Sequence, residues 1–277
     1  MSRRTSRRQF LRTAAVGAAS AALFVQRSAF GVRQYAARGT QHANKPNVVF
    51  VFADQWRAQA AGYAGNKDVT TPHLDALAAQ SVNFSNAVSG CPVCSPYRAS
   101  LMTGQYWLTH GIFYNDKPLD PDAATIGKAY HQTAYIGKWH IDGHGRSSFI
   151  PKERRQGFEF WRVCECTHDY NHSLYYADTP EQLYWSGYDA IAQTREAQNY
   201  IRVHAGKSPF ALFMSWGPPH DPYQTAPEQY RRMYADPSAI TVHPNVPESL
   251  REKARQAMAG YYAHIAALDD CLGDILK

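Results

Sequence analysis

Apolar residues fall along this chain in two rhythms. The first is an unbroken run. Residues 47–53, NVVFVFA, and residues 209–216, PFALFMSW, show no alternation. Such runs predict strands covered on both faces, as in a parallel sheet. Residues 81–87 and 132–137 predict two further strands. The second rhythm is helical. Leu74, Leu77 and Ala78 come after Thr71 and Pro72, an N-cap and first-turn pair. Residues 95–102 predict a helix stopped by Gly104. Residues 125–130 predict a short helix. Residues 261–276 predict a long one with Ile265, Leu268, Leu272 and Ile275 on one face.

Strands alternating with helices predict an α/β fold around a mostly parallel sheet. In such folds ligands gather beyond the carboxyl ends of the strands. Polar residues stand at those ends: Asp54 and Gln55, then Lys138 and His140, then His220, with Cys94 at a helix start. An aspartate after a strand is commonly only a turn or cap residue. The same placement at four strand ends points to one shared site.

Charge changes the picture of the amino terminus. All eight arginines among residues 1–40 lie without a single acid, and removing them takes the formal charge from +6 to −2. The basic character belongs to a leader, so a nucleic-acid partner is not expected. Ser6-Arg7-Arg8-Gln9-Phe10-Leu11-Arg12 precedes a weakly apolar run over residues 13–25. This resembles a twin-arginine export signal. The run is too short for a transmembrane span, which takes about 20 apolar residues. Residues 1–40 are expected to be signal and linker, handled by the twin-arginine export machinery, and the protein is expected to be periplasmic or extracellular.

The five cysteines are 91, 94, 164, 166 and 271. An exported protein is able to pair four and leave one. Cys91 and Cys94 form a C-x-x-C, which reads as a redox pair, half a zinc site, or an accident around one important cysteine.

The residues after Cys94 favour the last of these. Cys94-Ser95-Pro96-Tyr97-Arg98 with Leu101 and Thr103-Gly104 resembles the C-x-P-x-R signature of the sulfatase family. Other segments agree in order: Lys45-Pro46-Asn47 with Asp54-Gln55; Gly137-Lys138-Trp139-His140; Pro219-His220-Asp221-Pro222; and the helix after Tyr261-Tyr262. Five motifs in order are far more specific than any one. The resemblance covers residues 45–277 and implies the alkaline-phosphatase-like α/β fold. It also implies an N-terminal catalytic portion, incomplete because a later S-D-H-G or S-D-N-G segment is absent.

The resemblance implies a mechanism as well. Cys94 would be oxidised to formylglycine by the formylglycine-generating enzyme. The hydrated aldehyde would attack sulfur in a sulfate monoester of a carbohydrate or aryl alcohol, splitting hydrolysis into two easier steps. A divalent cation, usually Ca2+, would sit on Asp54, Gln55 and residue 94 and lower the barrier as a Lewis acid. Arg98, one helical turn after Cys94, would bridge nucleophile and sulfate. The helix start at Ser95 would add backbone N–H groups. Lys138 would bind sulfate, His140 would orient or deprotonate the nucleophile, and His220 would protonate the leaving oxygen.

Two departures matter. Gln55 replaces a second aspartate, which keeps open a phosphonate or phosphodiester hydrolase, and Tyr97 replaces a serine. An inactive fragment is a further alternative. Cys164, Cys166, His168 and His172 crowd into one segment. They read as a zinc cluster, as an aromatic-rich loop, or as a loop over the site with His168 and His172 touching substrate.

Overall fold

The two unbroken apolar runs become neighbouring parallel strands. The structure, a computed structural model, describes residues 45–277. The leader expected over residues 1–40 lies outside the described residues. Four strands, β1 (Val48–Ala53), β2 (Gln132–Lys138), β3 (Phe160–Cys164) and β6 (Phe210–Trp216), form an all-parallel sheet in the order β1-β6-β2-β3. Two short strands, β4 (Leu174–Tyr175) and β5 (Leu183–Tyr184), pair antiparallel beside it. The helices are α1 (Pro72–Ala79), α2 (Cys94–Thr103), α3 (Trp107–His110), α4 (Asp189–His204), α5 (Glu228–Met233) and α6 (Arg251–Ile275).

All seven residues of β6 are buried, because it lies between two strands and two helical layers. Phe210, Leu212 and Met214 pack on one face with Ala134 and Ile136 of β2, against α4 and α6. Ala211 and Phe213 pack on the other with Tyr135, Trp139 and Trp161, against α2. Each large side chain buried this way contributes roughly 1.5–3 kcal/mol.

Several expectations need correction. β1 is an edge strand among the described residues. It is only partly buried, and Val49 is 39% exposed. Residues 81–87 form no strand, and Val82 and Phe84 are 79% and 78% exposed. No strand among the described residues lies alongside to accept their backbone groups. The short helix expected over residues 125–130 is present as a 3-10 helix, Ile126–Ala129. The long helix starts ten residues earlier than its apolar face suggested, at Arg251. Thr71 precedes α1 as expected but its hydroxyl donates to Asp75. The free N–H groups of His73 and Leu74 donate to Asp269 of α6 instead. All five cysteines are free thiols in this structure. Cys271 is buried with α6, whereas Cys164 ends β3.

Candidate functional site

The carboxyl ends of β1, β2 and β6 meet the start of α2. Gly104 ends that helix at φ +67°, a conformation that suits glycine. Arg98 stands one turn beyond Cys94 and is buried. Its Nη2 lies 3.2 Å from Asp54 Oδ2, and its Nη1 donates to the Lys138 carbonyl at 2.6 Å and Ser215 Oγ at 2.7 Å. Lys138 Nζ reaches the same Asp54 Oδ2 at 2.7 Å. The Cys94 thiol donates to Asp54 Oδ1 at 3.5 Å, and Lys138 Nζ lies 3.9 Å from its sulfur. One carboxylate thus touches all three partners. Gly137 permits this approach: a Cβ there would lie 2.1 Å from the Ser215 carbonyl oxygen, and its φ is +106°.

Electrostatics derive from that geometry. Burial alone would raise the Asp54 carboxyl, but Arg98 and Lys138 outweigh it and hold it far below the usual range. Burial pushes the Cys94 thiol up; Asp54 adds to the rise and Lys138 opposes it. The unmodified sulfur is therefore a poor thiolate.

Around His140 the structure adds residues that carried no sequence signal. His140 Nε2 meets Asp116 Oδ1 at 3.0 Å, and Arg146 holds Asp116 through Nε at 3.0 Å and Nη2 at 2.8 Å. Burial, then the charges of Lys138 and Arg98, bring the imidazole down to about 4 despite Asp116. His140 is thus neutral near pH 7. With Nε2–H donating to Asp116, Nδ1 is the basic atom, and it is buried without a partner. His140 and Gln55 both hold positive φ, +59° and +64°, a mild strain typical of functional sites. The Ser95 N–H, expected to face sulfate, donates to Asn115 Oδ1 at 2.9 Å.

A cavity of about 460 Å³ opens over the cluster, lined by Asp54, Gln55, Cys94, Tyr97, Arg98 and His220 among others. Lys138 and His140 do not line it; Lys138 reaches it through Asp54 and Cys94. The His220 ring stacks on His168 at 4.4 Å. His172 instead stacks on Tyr184 of β5, at 4.2 Å. Among the described residues the three-ligand groupings are Asp54–Cys94–His220 and His73–Asp269–Asp270, so the Cys164–His172 segment assembles no metal cluster.

The ligand atoms of Asp54, Cys94 and His220 lie within 4.8 Å of one another. Asp54 Oδ2 is taken by two cations, which leaves Oδ1 toward residue 94. Gln55 Oε1 accepts one hydrogen bond, from Tyr223 at 3.3 Å, and keeps a free lone pair. The donor chemistry suits a hard cation: Asp54 Oδ1 and Gln55 Oε1 are oxygens, and residue 94 adds a third once oxygen replaces its sulfur.

Comparison with known proteins identifies a family. Residues 46–277 match the family Sulfatase. An ulvan-active sulfatase of Formosa agariphila is 46% identical over 239 residues, covering 84% of this chain and 47% of that protein. An endo-4-O-sulfatase of Bacteroides thetaiotaomicron is 29% identical, covering 89% of this chain and 59% of that protein. The solved structure of yidJ from Bacteroides fragilis, a sulfatase by inference alone, superposes with a TM-score of 0.77 at 31% identity. It covers 87% of this chain and 59% of its own. The chain thus spans about half the length of the relatives it matches. The match runs through the strand that ends at Asp54, the Cys94 helix, the Lys138 and His220 segments and α6, and on that ground the chain belongs to the sulfatase family.

Proposed function

We propose that this chain carries the nucleophile-bearing part of a sulfuric ester hydrolase that cleaves a sulfate monoester of a carbohydrate. The observation that carries the reading is Cys94 held between the Asp54 carboxylate and Lys138 Nζ, with its thiol pushed up by burial. That setting makes the unmodified sulfur a poor nucleophile, which is consistent with residue 94 acting only after its conversion to formylglycine. Once formed, formylglycine supplies two hydroxyls in its hydrate, and a bound Ca2+ supplies Lewis acidity.

The chain's own residues do the rest. Arg98 and Lys138 neutralise the ester's charge, and Asp54 keeps both cations in place. His140 holds a proton acceptor at Nδ1. His220, on the cavity wall, donates a proton to the leaving oxygen, a role worth roughly 10²–10⁴ in rate. A carbohydrate substrate is supported by the relatives that act on ulvan or bear the name endo-4-O-sulfatase. The Arg7-Arg8 leader supports twin-arginine export to the periplasm or beyond. Cytoplasmic conversion of Cys94 would then precede passage of the folded protein.

The test starts with coexpression with the formylglycine-generating enzyme and mass spectrometry of the Cys94 peptide. Conversion to aldehyde mass is expected; an unmodified thiol sinks the reading. Turnover of an aryl sulfate against an aryl phosphonate, by the full-length protein, then decides between sulfur and phosphorus. Faster phosphonate turnover would transfer the assignment to the alternative that Gln55 keeps open. Replacing Arg7 and Arg8 by lysine is expected to stop export, read by cell fractionation.

A further inference from the structure

The cavity over Cys94 does not end at Gln55. Gln55 is also a wall of a second cavity of about 220 Å³, which contains Arg57, Tyr223, Tyr261 and His243. That cavity shares Gln59, Asn66, His243 and Tyr262 with a third of about 390 Å³, which reaches Lys67. The three hollows thus lie in series, the first two sharing Gln55 and the last two sharing four residues, and together outline a track that leads away from the reacting centre.

The lining has a definite chemistry. Tyr223 and Tyr261 meet edge to face, 5.7 Å between centroids, and present amphipathic rings. The side-chain amide of Gln59 offers hydrogen bonds in both directions, while Asn66 is engaged with Gln59, Tyr262 and Asp68 and shapes the wall. No acid lines the second cavity. The third holds one, Asp68, whose Oδ2 accepts from the Thr241 N–H at 2.8 Å. Arg57 and Lys67 are exposed and meet no carboxylate among the described residues. Aromatic faces, amides and unopposed cations together suit a sugar chain bearing acid groups.

We infer that this track binds the two sugar units next to the sulfated one, and that those units carry carboxylate or sulfate groups. The inference rests on the carbohydrate-sulfatase reading and deepens it. The substrate is then an oligosaccharide or polysaccharide, gripped on the Gln55 side of the ester.

Binding without chemistry isolates the track. Full-length Cys94→Ala protein is titrated by calorimetry with tetrasaccharides of ulvan and of chondroitin 4-sulfate, and with the sulfated monosaccharide of each. At least one tetrasaccharide is expected to bind tenfold or more tighter than its monosaccharide. Adding Arg57→Ala or His243→Ala is expected to remove that advantage, and so is salt, because the Debye length is only about 10 Å at 0.1 M. Carboxyl-reduced and desulfated tetrasaccharides tell which acid group is read. Equal binding of tetra- and monosaccharide overturns the inference, as does an advantage that survives both substitutions. If the advantage is present but wild-type protein releases no sulfate, the track stands and the sulfatase reading fails.

Discussion

His168 and His220 lie face to face, their ring centroids 4.4 Å apart and their planes within 4° of parallel. At its edge His220 is held by Asp221, whose Oδ1 lies 2.9 Å from Nδ1. His168 is held in turn by Cys166, whose sulfur lies 3.9 Å from Nε2. Burial lowers the His168 pKa, and the positive charges of Lys138 and His220 lower it further. Burial and these neighbouring charges both disfavour a proton on the His168 ring, which backs His220 as a flat partner.

His168→Ala is therefore expected to lower kcat about tenfold, which corresponds to about 1.4 kcal/mol. That is less than the 10²–10⁴ expected for His220→Ala. The pH–rate profile separates positioning from mere stability. Without the stack, the alkaline limb, where a general acid loses its proton, is expected to shift, and His168→Phe, which keeps a flat ring, is expected to restore most of kcat. A profile unchanged in His168→Ala would remove the positioning role.

Arg98 is buried and bonded at once to Asp54, Ser215 and the Lys138 carbonyl. Breaking a buried pair costs roughly 3–5 kcal/mol, and the low end applies because Lys138 still opposes Asp54. Arg98→Ala is then expected to lower Tm by on the order of 10 °C. Arg98→Lys cannot reproduce the fork. It is expected to melt closer to wild type yet lose turnover. A thermal melt beside an aryl sulfatase assay reads both.

How far these groups are visible in sequence depends on the range of the contact. Cys94 and Arg98 are one turn apart, so local spacing places them together. Asp54, Lys138 and His220 stand after strands, and parallel topology brings strand ends together. Asp116 and Arg146 are thirty residues apart and meet only through loops, with no periodicity to mark them. Helix α4 is faint in sequence because its buried face includes Ala190, Gln193, Thr194 and Ala197, small or polar residues that weaken the apolar stripe. Residues 81–87 show the opposite case: local alternation suggests a strand where no described strand lies alongside. The track from Gln55 to Lys67 is equally hidden, since His243 joins it from nearly two hundred residues away.

Two buried carboxyls outside the reacting centre predict a pH dependence of stability. Burial raises Glu165 from 4.5 to about 7 and Asp189 from 3.8 to about 7. A carboxyl raised on folding stabilises the fold below its unfolded value. That contribution is lost as pH rises through the folded value. Each is worth on the order of 3 kcal/mol across that window. Tm is therefore expected to fall between pH 5 and pH 8. Glu165→Gln and Asp189→Asn are each expected to flatten the fall, and the double variant to flatten it further. Asp54 has the opposite sign: its stabilisation is present above 3.8 and is lost only in stronger acid. A Tm that rises from pH 5 to pH 8 would contradict the assignment.

Asp54 Oδ2 is occupied by Lys138 and Arg98, so a cation is expected to bind at Oδ1 beside residue 94. Calcium at about 100 times its dissociation constant adds about 2.7 kcal/mol to stability. A rise in Tm of roughly 5–10 °C is expected, reversed by chelator. Asp54→Asn is expected to abolish that rise. It also lowers the starting Tm, because two buried cations lose their counter-charge, a loss of roughly 3–5 kcal/mol. The comparison is therefore made on the calcium-induced difference within each variant. Asp270→Asn is the control, since His73, Asp269 and Asp270 form the other three-ligand grouping. If Asp270→Asn abolishes the calcium response and Asp54→Asn keeps it, the stabilising ion lies at the far side of α6 and the assignment to Asp54 is wrong.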